Sequence, residues 1–193
     1  MITVLETERL VLRPLVASDA TALFAFRSDP IEQRWNDAPL TEESQAGELI
    51  DRLAAEHHTV GALHWGLTLH GDDTVRGLLG YNEVVASDAR AALGYDLARP
   101  LWGRGLMSEA LRAVLDHGFD DLQLNRVEAH TNDVNAPSIR MLRRLGFWRE
   151  GTFHERFREN DEYHDVALFV MLARDRHPHR HPDRHPDRHP DRP

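Results

Sequence analysis

Two short runs of the sequence combine residue types whose chemistry depends on close spacing. The first is Trp102-Gly103-Arg104-Gly105, followed at once by Leu106 and Met107 at the head of an amphipathic stretch. Glycines one residue apart let the backbone turn sharply and approach a ligand where a side chain would intervene. If a helix starts after Gly105, the N–H groups of Trp102, Gly103, Arg104, Gly105 and Leu106 lack intrahelical acceptors and sit at its positive end. Such a turn suits a diphosphate, with Arg104, and Arg99 as a second candidate, adding charge-assisted hydrogen bonds. It is not a Walker A loop, because no glycine-lysine pair follows. It is not a dinucleotide fingerprint either, because the three-glycine spacing fails. Alone, two glycines before a helix are equally compatible with an ordinary tight turn.

The second run is Thr131-Asn132-Asp133-Val134-Asn135-Ala136-Pro137-Ser138. Asn135 can cap a helix that has Pro137 in its first turn, or its amide can bind a ligand passing between two parallel strands that part company. Ser138 lies near the start of the same helix, where a hydroxyl can be presented to a ligand thiol, or it is simply a first-turn residue.

The elements that must position these runs follow from hydrophobic period and turn residues. A strand is expected over Leu10–Leu15, then a helix capped by Ser18 or Asp19 and running to about Arg27. A second helix should start with a Thr41 cap and reach about Glu56. Ala62–Leu69 and Val75–Val85 read as strands joined by a turn at His70-Gly71-Asp72-Asp73, and Ala92–Leu97 as a third. The helix after Gly105 presents Leu106, Ala110, Ala113 and Val114 on one face, with His117 at its edge. Arg126–Thr131 is a short strand. The helix capped by Asn135 ends at Gly146 with Ile139, Leu142 and Leu145 as its apolar stripe. Phe147–Arg158 and Tyr163–Leu172 form a hairpin around Glu159-Asn160-Asp161. This order predicts an α/β fold: a mixed, mostly antiparallel sheet with one parallel pair, 92–97 beside 126–131, and helices over both faces.

Composition bounds the chemistry. The 193 residues support one domain with an appendage, and 41% hydrophobic against 28% charged residues is an ordinary globular balance. Cysteine is absent, which excludes disulfides, thiolate-held metals and a thiol nucleophile. Every basic residue is arginine, so lysine Schiff-base chemistry is excluded too. Residues 1–173 carry 17 arginines against 28 carboxylates. That acidic body argues against nucleic-acid binding and suits a cationic acceptor. The opening residues lack a basic-then-apolar leader, and no apolar run is long enough to span a membrane, so the expected location is cytoplasmic. Residues 174–193 repeat His-Pro-Asp-Arg and hold five of the thirteen histidines. They are expected to form a solvated, polyproline-like tail, with loose metal binding as the alternative to a dispensable extension. No other histidine has metal-ligand spacing, so His64, His117, His130 and His154 are read as satisfied or exposed and no metal is expected.

Taken together, Trp102-Gly103-Arg104-Gly105-Leu106-Met107-Ser108-Glu109-Ala110, Asn135-Ala136-Pro137-Ser138 and Leu145-Gly146-Phe147 resemble the GNAT family of N-acetyltransferases. The opening Glu6-Thr7-Glu8-Arg9-Leu10-Val11-Leu12-Arg13-Pro14 and the late Asp165 resemble its RimJ/RimL-type branch, which acetylates the N-termini of ribosomal proteins. The likeness spans about residues 5–173. It implies acetyl-CoA as co-substrate, with its pyrophosphate on the glycine turn and its pantetheine arm between the two parallel strands. The implied contacts are Tyr95, Asp96, Leu97, Trp102, Gly103, Arg104, Gly105, Leu106, Met107, Asn132, Asn135 and Ser138. Pro100 stands where the family's loop usually has Gln or Arg, which shifts phosphate binding to backbone groups and Arg104.

The resemblance implies direct transfer to an amine in a ternary complex. A peptide α-amine ionises near about 8, against about 10.4 for lysine, so a modest base suffices. Glu83, toward the end of a central strand, is the first candidate; Asp96 and Glu109 are weaker ones, and Glu109 can instead brace its helix against an arginine. Ser138 is the candidate acid for the departing thiolate, and a backbone N–H around Tyr95–Leu97 the candidate oxyanion donor. Trp35, with Glu83, is placed at the acceptor entrance, or Trp35 only caps the core. The acceptor implied is a protein N-terminus. A small-molecule amine, a different acyl donor such as succinyl-CoA, and a CoA-binding sensor without turnover are the rival readings. Monomer and homodimer are both open.

Overall fold

The computed structural model describes residues 2–159 and 162–176. The centre of the Glu159-Asn160-Asp161 turn and the repeat from residue 177 onward lie outside the described residues. Eight strands form one sheet: β1 (Leu5–Glu6), β2 (Leu10–Arg13), β3 (Leu63–Leu69), β4 (Asp72–Val85), β5 (Arg90–Leu97), β6 (Arg126–Asn132), β7 (Trp148–Glu159) and β8 (Glu162–Leu172). Their order is β1-β2-β3-β4-β5-β6-β8-β7. Every neighbouring pair is antiparallel except β5 and β6, as expected of a strand–helix–strand crossover.

Five helices flank the sheet: α1 (Ala20–Arg27), α2 (Pro30–Gln33), α3 (Glu43–Thr59), α4 (Leu106–Asp116) and α5 (Ala136–Leu145). On one face, Leu106, Ala110, Leu111 and Val114 of α4 and Leu142 of α5 pack with Leu12, Trp65, Tyr81, Leu93 and Phe169 of the strands. On the other face, Leu23 and Phe26 of α1 and Ala46, Leu49 and Ile50 of α3 meet Val75 and Leu78 of β4. The mixed sheet covered on both faces agrees with the sequence reading.

Several local expectations shift. α3 is capped at Glu42 rather than Thr41, because the Gln45 side chain reaches back to accept the N–H groups of Thr41 at 2.7 Å and Glu42 at 3.1 Å. β4 starts at Asp72, absorbing residues read as turn. The short β1 and α2 were not anticipated, being too brief to show a period. The residues after α4, His117–Asp121, widen into a π turn. Folded structure continues past 173 to Arg176, whose guanidinium lies 5.8 Å from the Phe119 ring centroid and pairs with Asp116 and Asp120. No helix among the described residues is long and apolar enough to cross a membrane.

Tyr81 locks the two layers together. Fully buried, it donates from its hydroxyl to the Val114 carbonyl at 2.8 Å, with the Trp65 ring edge-on at 6.4 Å. A Cβ on Gly118 would stand 2.1 Å from that hydroxyl. Gly118→Ala is therefore expected to destabilise the fold by about 1–3 kcal/mol, read as a lower urea midpoint, because the ring has no free volume to enter. Adding Tyr81→Phe, which removes the clashing oxygen, should recover part of that loss.

Candidate active site

The ladder between β5 and β6 runs only from Arg90–Arg126 to Leu93–Ala129. Beyond it both strands continue, β5 along β4 to Leu97 and β6 along β8 to Asn132, so their facing edges separate. Ala98 donates its N–H to Arg76 of the β4 side at 2.8 Å. Alternation along a strand then turns the backbone groups of Asp96 to β4 and those of Tyr95 and Leu97 to the gap. Of the three consecutive residues singled out from the sequence, Tyr95 and Leu97 thus turn main-chain groups to the gap. Asp96 does not, because its main chain belongs to the sheet. The Leu97 carbonyl is already taken by the Trp102 indole N–H at 2.5 Å.

The glycine turn lies at the wide end of this gap. Gly103 and Gly105 have φ of +73° and +75°, left-handed conformations that cost other residues about 1–2 kcal/mol. Gly105 is the N-cap of α4, and no side chain caps that end. The Trp102 N–H is a correction to the expected set of free donors: it closes a 3-10 turn onto the Arg99 carbonyl at 3.1 Å. The N–H groups of Gly103, Arg104, Gly105 and Leu106 remain without a protein acceptor among the described residues. Leu106 and Met107 bury their side chains in the core, so only their main chain meets the turn. Arg99 is drawn away from the turn, its guanidinium 3.0 Å from Asp29 and its N–H on Glu32 at 2.6 Å. Arg104 is left as the cation of the turn.

Glu109 braces the turn from behind, as one of its two expected roles required. It accepts from Thr7 Oγ1 at 2.5 Å, from the Arg9 N–H at 2.9 Å and from Arg9 Nε at 2.7 Å, while Arg9 Nη1 donates to the Arg104 carbonyl at 3.1 Å. Burial acts against its ionised form, but the bonds from Thr7 and Arg9 prevail and hold its carboxyl below the usual range. A carboxylate so engaged has no lone pair left for acceptor chemistry.

On the α4–α5 face of the gap, the Tyr95 hydroxyl and Ser138 Oγ lie 2.7 Å apart. Burial pushes the Tyr95 hydroxyl up to about 12, so it keeps its proton at neutral pH. Asn135 caps α5 by accepting the Ser138 N–H at 3.2 Å, which fixes where that hydroxyl stands. Asn132, 4% exposed, accepts the Val134 N–H at 3.1 Å, yet its Nδ2 is buried with no protein partner. An orphaned buried donor, the separated strand edges and an uncapped helix start together fit a pantetheine diphosphate.

On the opposite face, Asp96 makes a buried ion pair with Arg27 Nε at 3.0 Å and accepts the Leu78 N–H at 3.2 Å. Burial pushes its carboxyl up, with Arg27 pulling the other way. Glu83 pairs with Ala92 in the ladder, short of the point of parting; it is half-exposed, with Arg90 Nη1 3.2 Å away. Trp35 follows α2, half-buried beneath the Arg34 guanidinium, and its indole N–H is buried without a partner. His130 extends β6 past the gap's start and meets Phe153 edge-on at 5.6 Å. The sequence reading missed Asn82 and His64, which meet across this face with Nε2 of His64 3.2 Å from Oδ1 of Asn82. A one-residue bulge between Tyr81 and Glu83 places Asn82 there, and no periodicity announces a bulge. Among the described residues no cluster of His, Asp and Glu could hold a metal.

A sheet opened between two parallel strands, with a phosphate turn at the wide end and a proton-holding pair on one face, defines an acyl-CoA-dependent N-acyltransferase. The chain belongs to the GNAT family of acetyltransferases: the family's acetyltransferase domain matches residues 9–148. The N-acetyltransferase p20 of Bacillus licheniformis is 36% identical, covering 89% of this chain and 97% of its own. The ribosomal protein uS5-alanine N-acetyltransferase of Escherichia coli is 26% identical, covering 90% and 93%. The solved structure of the RimL ribosomal α-N-protein acetyltransferase with coenzyme A superposes with a TM-score of 0.81 at 23% identity, covering 88% and 98%, a likeness of fold. The protein is an acetyltransferase that uses acetyl-CoA as co-substrate.

Gly103→Glu tests the phosphate turn. A Cβ there meets nothing within 4 Å, so the carboxylate would occupy the space before the free N–H groups and repel a diphosphate. Titration calorimetry should show acetyl-CoA binding weakened at least about tenfold. The strain of a non-glycine residue at this φ should lower stability by about 1–2 kcal/mol without unfolding the chain.

Proposed function

We propose that the protein acetylates the α-amine at a protein or peptide N-terminus. The observation that carries this reading is the gap itself: the Tyr95–Ser138 pair stands on one face of it, and Glu83 and Asp96 with their arginine partners stand on the other. The acetyl thioester supplies the activated carbonyl. Glu83 takes the proton of the incoming amine, directly or through water, and the net acidity of the chain favours a cationic acceptor over an anionic one. Ser138, hydrogen-bonded to a tyrosine that stays protonated, keeps a proton available to the leaving sulfur. The Tyr95 and Leu97 N–H groups are the candidate donors to the thioester oxygen. The chain's relationship to an acetyltransferase of a ribosomal-protein N-terminal alanine supports a peptide acceptor and a place near the RimJ/RimL-type branch.

Full-length protein incubated with acetyl-CoA and a panel of peptides beginning Ala, Ser, Thr or Met, with spermidine and an aminoglycoside alongside, decides the acceptor. The expected result is an acetylated peptide, located on its α-amine by fragmentation mass spectrometry. Product on the small amines alone would overturn the reading.

With that peptide, Glu83→Gln is expected to lower kcat at least about threefold, less at pH 9 than at pH 7 because the free amine then loses its proton unaided. Ser138→Ala should lower kcat by a similar factor at every pH while the KM for acetyl-CoA stays within about twofold.

A further inference from the structure

Gly94 is the first residue of β5 beyond the last parallel pair, Leu93–Ala129. Its neighbour Tyr95 points to the α4–α5 face, where it meets Ser138, so Gly94 opens onto the other face. The space a side chain would fill there is occupied by Asn82: a Cβ on Gly94 would lie 2.7 Å from Asn82 Nδ2 and 2.8 Å from Oδ1. Asn82 gets there because it is the extra residue of the β4 bulge, without a ladder partner opposite. The side chain is exposed and lies across the β5 backbone where the two strands begin to part.

His64 sets which way that amide faces. His64 is 7% exposed, and its Nδ1 is buried without a partner. A buried N–H with no acceptor is the costlier of the two tautomers, so the proton belongs on Nε2, which donates to Asn82 Oδ1 at 3.2 Å. Burial lowers the imidazole's pKa, against the opposing pull of Asn82 and Glu56. With Oδ1 held by His64, Nδ2 of this exposed side chain is left as a donor over Gly94, and no partner engages it among the described residues.

We propose that Asn82, oriented by His64, anchors the acceptor by donating from Nδ2 to the carbonyl oxygen of the residue that bears the α-amine. An amine attacking through the gap beside Gly94 carries that carbonyl two bonds away, within reach of a donor lying on Gly94. The anchor removes rotational freedom from the acceptor and holds its nitrogen toward the gap. It selects α-amino carbonyl compounds, peptides above all, over simple alkylamines, which have nothing for Nδ2 to hold. Asn82 and His64 are specificity-determining and positioning residues respectively. This proposal rests on the peptide-acceptor reading given above.

The test is Asn82→Asp in the full-length protein, assayed with an alanine-initiated tripeptide and with n-propylamine. The aspartate keeps the shape and the acceptor for His64 but replaces the donor with an oxygen that repels a carbonyl. The kcat/KM for the tripeptide is expected to fall about tenfold or more, mostly in KM, while the alkylamine changes less than about twofold. His64→Phe, which frees the amide to rotate, should lower the tripeptide kcat/KM by about threefold, with the alkylamine changed less and acetyl-CoA binding unchanged. Equal losses on both acceptors, or a tripeptide rate like that of the unsubstituted protein, would overturn the anchor alone. If the unsubstituted protein acetylates only the alkylamine, the peptide-acceptor reading falls and the anchor falls with it.

Discussion

The structure turns on the early parting of β5 and β6. A parallel pair buried within a sheet normally satisfies its main chain along its whole length, and separated edges leave N–H and C=O groups that cost free energy unless something bonds them. Here the pairing stops after Leu93–Ala129 while both strands run on. β4 and β8 hold the outer edges of the two strands rigid, so the gap cannot close by collapse. The Trp102 indole satisfies one exposed carbonyl, that of Leu97. The remaining groups facing the gap are the ones that an extended amide-bearing arm can complete, as the pantetheine arm of acetyl-CoA does.

Keeping the gap open demands that the elements at its wide end be tied down, and two charged clasps do this from opposite faces. On one, Thr7 and Arg9 grip Glu109 and the Arg104 carbonyl, fastening the phosphate turn to the first strands. On the other, Arg27 of α1 pairs with Asp96, and Glu32 of α2 receives the Arg99 N–H. The Arg27–Asp96 pair is removed from water, so its net stabilisation is small while the loss of either partner would strand a buried charge. Its value lies in specificity of placement: α1 and α2 have one position over the end of β5.

The sequence announced the gap more clearly than it announced the face beside it. Glycines at 103 and 105, a capping Asn135 and a serine in the first turn of α5 are local devices, and the folded structure keeps them as a left-handed turn, a cap and a first-turn residue. The strand–helix–strand order was equally legible, since helical period and crossover length follow from neighbouring residues. Asn82 and His64 were not. They lie 18 positions apart in the chain, and what joins them is a bulge on one strand and a missing side chain on the next. The free N–H expected of Trp102 failed for a similar reason: Pro100 favours a tight 3-10 turn that consumes it. α2 escaped notice because its four residues hold position through Arg27 and Arg99, contacts that no pattern within 30–33 contains.

A gap through a sheet also separates two kinds of acid–base work. Proton donation to a leaving sulfur needs a group that stays protonated, and burial against α5 provides it by raising the Tyr95 hydroxyl beside Ser138. Proton removal from an amine needs a group that reaches water, and in the proposed reaction that group is Glu83, exposed and paired with Arg90. In the proposed reaction the two stand on opposite faces of β5 and meet only through the substrates held in the gap.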